Sequence, residues 1–328
     1  MNTKLKIIAA ALGLGLAFQA PAVSLWSFED DDIDFIIRDT NGDGKYSDES
    51  PVTSGDFQEG DLFFAVFEIP VFKIDGADAI PTGMELTGVS AVVLDTIDPD
   101  PLGTGLGTAY SFKPFSLAAG FAENLDGFLR ALGYVGDPIP DGAAIAMWFN
   151  GTGGGADRDL ELNRTVNPAT NCTSLADCAQ QASLGDLLQV DGAIDPSAFG
   201  VGDKDEYWYA TQVVPNDPGF VGDLIGQVLS TDNSTIVATV NFGLSNLFNQ
   251  VGPVHWIDAG GLDCGLPGYV SDGCVQLKGS ATLTGGQGLS NGAIAHSDFD
   301  AQKYVPEPAT LALFGIGLLG LGRRMKRA

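Results

Sequence analysis

Leu62 to Ile74 reads LFFAVFEIPVFKI, a run of aromatic and β-branched side chains interrupted by Glu68, Pro70 and Lys73. Residues of this kind suit a pleated, half-buried backbone, so the run reads as a strand. Pro70 has no N–H to donate, and it either splits the strand or places it at a sheet edge. Similar stretches flank it at Met84–Ile97, Ala143–Asn150, Glu206–Val214, Thr235–Ser245 and Cys274–Thr284, separated by Gly, Pro and Asp breaks. Ile33 to Arg38 (IDFIIR) reads as a further strand. Their spacing and Gly-rich connections predict a mostly β protein, an antiparallel β-sandwich of jelly-roll type, rather than alternating strands and helices.

Helical pattern is scarce. Phe121, Leu125, Phe128, Leu129 and Leu132 form one apolar face, weakened by Gly127 and closed by Gly133. A second short helix starts near Ser174, with Asp177 at a capping-box position, and ends before Gly185. No repeat of about 20 to 50 residues emerges, which argues against a solenoid or propeller. Composition turns polar and Asn-rich from Gly151 to Asp205, the place for any subdivision of the body.

The chain has 328 residues, 45% of them apolar, with 19 Phe and 4 Trp, enough for a core and unlike a disordered acidic protein. Its 44 glycines imply many tight turns. Of 16 Lys+Arg, six (Lys4, Lys6, Arg323, Arg324, Lys326, Arg327) lie in the terminal segments, where there is no acid. Residues 23–308 therefore keep 10 basic against 42 acidic groups, a formal charge of −32. Such a body repels nucleic acid and anionic membranes and favours divalent cations.

Both ends read as targeting segments. Lys4 and Lys6, the apolar run Ile7–Phe18 and the small residues Ala20-Pro21-Ala22 make a signal peptide over residues 1–22, with Val23 starting the mature body, 23–304. At the other end stand Val305-Pro306-Glu307-Pro308, an uncharged segment 309–322, and a basic cluster that opens with Arg323-Arg324. As a helix, 309–322 would rise about 21 Å, short for a transmembrane span, so snorkelling basic side chains and local thinning would have to assist. The cluster would stay cytoplasmic. The two prolines keep the preceding chain extended and open to a protease.

In that order at the C-terminus, these features resemble the PEP-CTERM sorting signal. The resemblance covers residues 305–327 of the 305–328 tail and implies processing by exosortase-type membrane proteases. It also implies an inner-membrane-anchored precursor, then the cell surface or extracellular matrix, and a role in biofilm or envelope organisation through exopolysaccharide. It says nothing of the fold.

Four cysteines in an exported chain suggest disulfides. Three pairings are possible, and proximity favours Cys172–Cys178 and Cys264–Cys274. Zinc would want closer spacings and imidazole. The segment Asp39-Thr-Asn-Gly-Asp-Gly-Lys-Tyr-Ser47 resembles the first nine positions of an EF-hand calcium loop. Asp39, Asn41 and Asp43 would turn inward, Gly44 allows the sharp bend, Lys45 offers its carbonyl and Ser47 a water-bridged position. Position twelve is Ser50, with Glu49 one residue early, and a strand precedes the loop where a helix would open an EF-hand. A strand-loop site holding a structural calcium ion is expected, against an ion-free Asx-rich turn. The acids Glu29, Asp30, Asp31, Asp32 and Asp34 read as a solvated run, with a second ion as the alternative. Asp157, Asp159 and Glu161 form a weaker candidate loop.

No catalytic residues are nominated. Gly288-Leu-Ser290-Asn-Gly292 has the letters of a nucleophile elbow without its strand–turn–helix context, and the only later histidine is His296. His255, beside Trp256, reads as a packed or hydrogen-bonded side chain. Asn163, Asn171 and Asn233 open Asn-x-Ser/Thr triplets. In Tyr207-Trp208-Tyr209, alternation exposes either the tyrosines or the tryptophan, and exposed rings can stack on sugars. The expected function is non-enzymatic: a calcium-stabilised surface or matrix protein associated with exopolysaccharide. A secreted polysaccharide hydrolase would need two facing carboxylates, and a self-assembling surface-layer component is the third reading.

Overall fold

The computed structural model describes residues 23–80, 85–99, 108–150, 160–162, 170–196, 206–212, 222–250, 257–258 and 274–306. The chain runs β1 (Val23–Ile37), β2 (Leu62–Ile74), β3 (Ala77–Asp78), β4 (Glu85–Asp98), β5 (Ala109–Pro114), α1 (Leu125–Ala131), β6 (Ala143–Asn150), α2 (Leu175–Ala182), β7 (Asp186–Gly192) and β8 (Tyr207–Gln212). It continues with α3 (Leu224–Ser230), β9 (Ile236–Asn249), β10 (Ile257–Asp258), β11 (Cys274–Val275), β12 (Leu277–Gly285) and β13 (Ala295–Pro306). The protein is mostly β and antiparallel, as expected.

The sandwich gives way to one continuous sheet. Eleven strands belong to it, and the extra pairings β2–β4 and β9–β8 close it into a ring. That ring runs β2–β1–β13–β12–β9–β8–β5–β4 and back to β2, antiparallel at every step. Strands β4 and β9 are long enough to serve two partners in tandem. Residues 85–90 of β4 pair with β6 and 92–98 with β5, while 238–243 of β9 pair with β8 and 245–249 with β7. The result is a barrel whose wall contains two short strand pairs end to end.

Pro70 does not end β2. The β4 ladder stops at Glu68, and the β1 ladder skips Pro70 at a bulge beside Glu29 and Asp31, so no partner asks for its missing N–H. Both faces of β2 are covered. Phe67 and Ile69 turn into the barrel with Trp26, Phe28, Phe112, Trp208, Phe242 and Phe299. Leu62, Phe64 and Val66 turn outward, beneath Leu125, Phe128 and Leu129 of α1 and Leu175, Cys178 and Ala179 of α2.

Helix starts follow their caps. Asn124 accepts the Gly127 N–H to open α1, Gly133 (φ 108°) closes it, and Ser174 accepts the Asp177 N–H to open α2. Helix α3 seals one barrel end by setting Ile225 and Val228 on Ile36, Val237 and Ile294. Cys172 and Cys178 are bonded, with Cα atoms 5.0 Å apart, and tie the entry of α2 to its first turns. The pairing of Cys264 with Cys274, the signal peptide, and the 309–322 span with its basic tail lie outside the described residues. Among the described residues no helix is long and apolar enough to cross a membrane.

Candidate functional site

Helices α1 and α2 cover the outer face of β2 and of β1 from Ile33 to Ile37, whereas β1 near Glu29 and its neighbours β13, β12, β9 and β8 show a polar outer face. Alternation decides which side chains appear there. Trp208 faces inward, stacked on Phe242 at 4.8 Å between ring centroids, so Tyr207 and Tyr209 face outward, 6.1 Å apart. Gly243 is required beneath them: a Cβ there would meet the Tyr207 ring at 2.5 Å. Tyr207, Asn241, Lys278, Ser280, Asp300 and Gln302 line a groove of about 520 Å³ that also reaches Glu29. Glu29 stands directly opposite Asp300 across the β1–β13 ladder and pairs with Lys73 at 3.3 Å. Partial burial raises the Asp300 carboxyl, helped by the charges of Asp298 and Glu29. A flat ring beside convergent hydroxyl, amide and carboxylate groups is chemistry suited to a sugar chain.

The Asp39 loop closes largely on its own amides. The Asp39 carboxylate accepts from Gly42 N (2.6 Å), Asp43 N (3.3 Å) and Gly44 N (2.8 Å); Asn41 Oδ1 accepts from Asp43 N and Asp43 Oδ1 from Lys45 N. Gly42 and Gly44 take the positive φ that these turns need. Asp39 Oδ1 takes two of these bonds, while Asp39 Oδ2, Asn41 Oδ1 and Asp43 Oδ1 take one each and keep a lone pair of the kind a hard cation uses. Glu49 folds back onto Thr40 N and Oγ1, and Ser47 is engaged by Glu123. Glu123 comes from the segment before α1 and also accepts the Tyr46 N–H, a long-range partner that sequence spacing does not reveal. Among the described residues no three His, Cys, Asp or Glu side chains converge on a metal position.

The acidic run before this loop is not solvated as expected. Strand β1 continues through it, and its even positions Asp30, Asp32 and Asp34 turn into the barrel, while Glu29 is exposed. Period-two alternation carried forward from Trp26 and Phe28 would have found them. Burial pushes Asp30 and Asp32 well above the usual carboxylate range, reinforced by Asp32 on Asp30 and by Asp34 on Asp32. Burial likewise raises Asp34 to about 7, opposed by the Ser297 hydrogen bond. A second buried cluster joins Lys303 to Asp191 (3.0 and 3.3 Å) and Gln189 (3.1 Å), with Asn246 donating to Asp191.

The elbow-like Gly288–Gly292 segment is a turn between β12 and β13; no helix follows, and Asn291 donates to the Cys172 carbonyl. Asn171 is described, its side chain accepting the Glu161 N–H, as is Asn233. Asn163, Asp157, Asp159, His255 and Trp256 lie outside the described residues.

The tail begins on the sheet itself. Val305 and Pro306 are the last residues of β13, paired with Ser24 and Val23, and Val305 is buried. Residues 305–327 match the PEP-CTERM protein-sorting motif. No curated protein and no solved structure matches the chain. The motif points to an exported protein sorted by exosortase to the cell envelope or surface. It is extended up to Pro306, as expected, but Val305 is held in the ladder rather than left open. Glu307, Pro308, Arg323 and Arg324 lie outside the described residues.

Proposed function

We propose that the protein is a non-enzymatic surface or matrix component that binds exopolysaccharide along the outer groove of β1, β13, β12, β9 and β8. The observation that supports this reading is the outward pair Tyr207 and Tyr209 beside Asn241, Lys278, Ser280, Asp300 and Gln302, on a face that helices do not cover. Sugar rings stack on tyrosine while their hydroxyls bond to amides and carboxylates. Export by way of the sorting motif would deliver that face to the biofilm matrix. A glycan array with the body of the protein, followed by titration of any hit, tests it. The paired change Tyr207→Ala and Asn241→Ala should weaken binding at least tenfold, about 1.4 kcal/mol, without lowering thermal stability. Equal binding by that variant would remove the groove from consideration.

A second reading has its own support: Glu29 and Asp300 line the same groove, and the Asp300 carboxyl is raised. Cleavage of a bound glycan, lost in Asp300→Asn, would make the protein a hydrolase.

Calcium in the Asp39 loop would serve structure, fixing the connection between β1 and β2 at the calcium levels found outside cells. Isothermal titration should show calcium heat that Asp39→Ala with Asp43→Ala reduces; an unchanged isotherm would retire the loop as a site.

A further inference from the structure

Asp30, Asp32 and Asp34 turn into the barrel, and among the described residues no ion pair answers them. Asp30 and Asp32 are buried and Asp34 is half-buried. Asp30 Oδ1 accepts the Phe299 N–H at 2.9 Å, and Asp34 Oδ2 accepts the Ser297 hydroxyl at 2.8 Å. Asp30 Oδ2 and Asp32 Oδ1 have no hydrogen-bond partner. Among the described residues, the one lysine buried with a carboxylate, Lys303, is committed to Asp191.

Beside Asp32 and Asp34 lies a cavity of about 50 Å³. Its polar lining comes from these two carboxylates and from Ser90 and Ser297; aromatic rings, among them Phe63 and Trp208, make up much of the rest. A cavity of this size accommodates about three or four waters, or one ion with part of its hydration shell.

Two facts bear on what fills it. An ionised carboxylate buried without a counter-charge is costly and is relieved by a proton or a cation. Ser297 reaches both carboxylates, Asp34 through its hydroxyl and Asp32 through its hydroxyl and backbone, yet Asp32 Oδ1 is left without a partner.

We propose that Asp32 and Asp34, with the hydroxyls of Ser90 and Ser297, bind a hard cation inside the barrel, calcium being the ion suited to two carboxylates completed by hydroxyls and water. The site is separate from the Asp39 loop, which lies beyond the end of β1. It carries two carboxylates, in keeping with the absence, among the described residues, of any converging group of three.

The test keeps the two sites apart. In the body carrying Asp39→Ala and Asp43→Ala, equilibrium dialysis at pH 8 should still find calcium bound. Thermal unfolding should shift up by roughly 5 °C when calcium replaces chelator at about a hundredfold excess over Kd. Adding Asp32→Asn and Asp34→Asn, which keep side-chain shape, should abolish both responses while the far-ultraviolet spectrum stays β. Calcium still bound after the Asn changes would overturn the proposal. So would a loop variant that binds no calcium yet is stabilised by acid alone, which would show protons to be the only counter-charge.

Discussion

Lys303 shows how one side chain can fix the end of a chain in place. Its ammonium lies on Asp191 and Gln189, fully enclosed, and burial lowers its affinity for a proton while Asp191 raises it. Replacing only one partner leaves the other charge stranded. Lys303→Met should cost about 3–5 kcal/mol in urea unfolding, and adding Asp191→Asn should recover a large part of it. If the single change costs under about 1 kcal/mol, the pair is not an ion pair in the folded protein. Nothing in the sequence announced this contact, because Lys303 and Asp191 lie far apart in sequence and each sits in an ordinary strand pattern.

At the level of elements, α1 depends on its first residue. Asn124 Oδ1 accepts the Gly127 N–H, and its amide donates to Asp141. Asn124→Ala should destabilise the protein by about 1 kcal/mol, while Asn124→Asp should retain the cap; equal denaturation midpoints for all three chains would refute the capping role. Apolar patterning located β4, β6, β8, β9 and β12 within a few residues, along with α1 and α2. It missed β5, α3, β7 and β13; in the last two, polar alternate residues such as Asp191 and Lys303 are buried with partners rather than solvated. It also stopped β1 short, reading three inward acids as surface. The two-sheet expectation failed for a related reason: alternation specifies which face a residue occupies, whereas β4 and β9 each recruiting two partners in tandem is a long-range choice. Of the candidate sites, the tyrosine pair and the Asp39 loop were legible locally; Glu123 and the groove, built from five strands, were not.

For the molecule as a whole, the buried acids set the response to pH. Asp34 titrates near 7 in the folded chain against about 4 when unfolded, so between those values the folded chain holds a proton that the unfolded chain has released. Stability is therefore full below about pH 4 and falls as pH rises to about 7, by on the order of 4 kcal/mol from this group, with Asp30 and Asp32 adding to it. In chelator, the urea midpoint should drop between pH 5 and pH 8, and Asp34→Asn should flatten part of that fall. A midpoint that rises over the same interval would contradict the burial of these carboxylates.

The C-terminal strand also determines how the protein would respond to mechanical load. A pull on the tail enters at Pro306 and travels down β13, which is flanked by β1 on one side and β12 on the other. Both ladders then resist in shear, many bonds sharing the tension, instead of peeling apart one at a time. Asp300, Gln302 and Lys278 stand on these same strands, so force would pass from the tether to a polymer held there without crossing a helix or a loop.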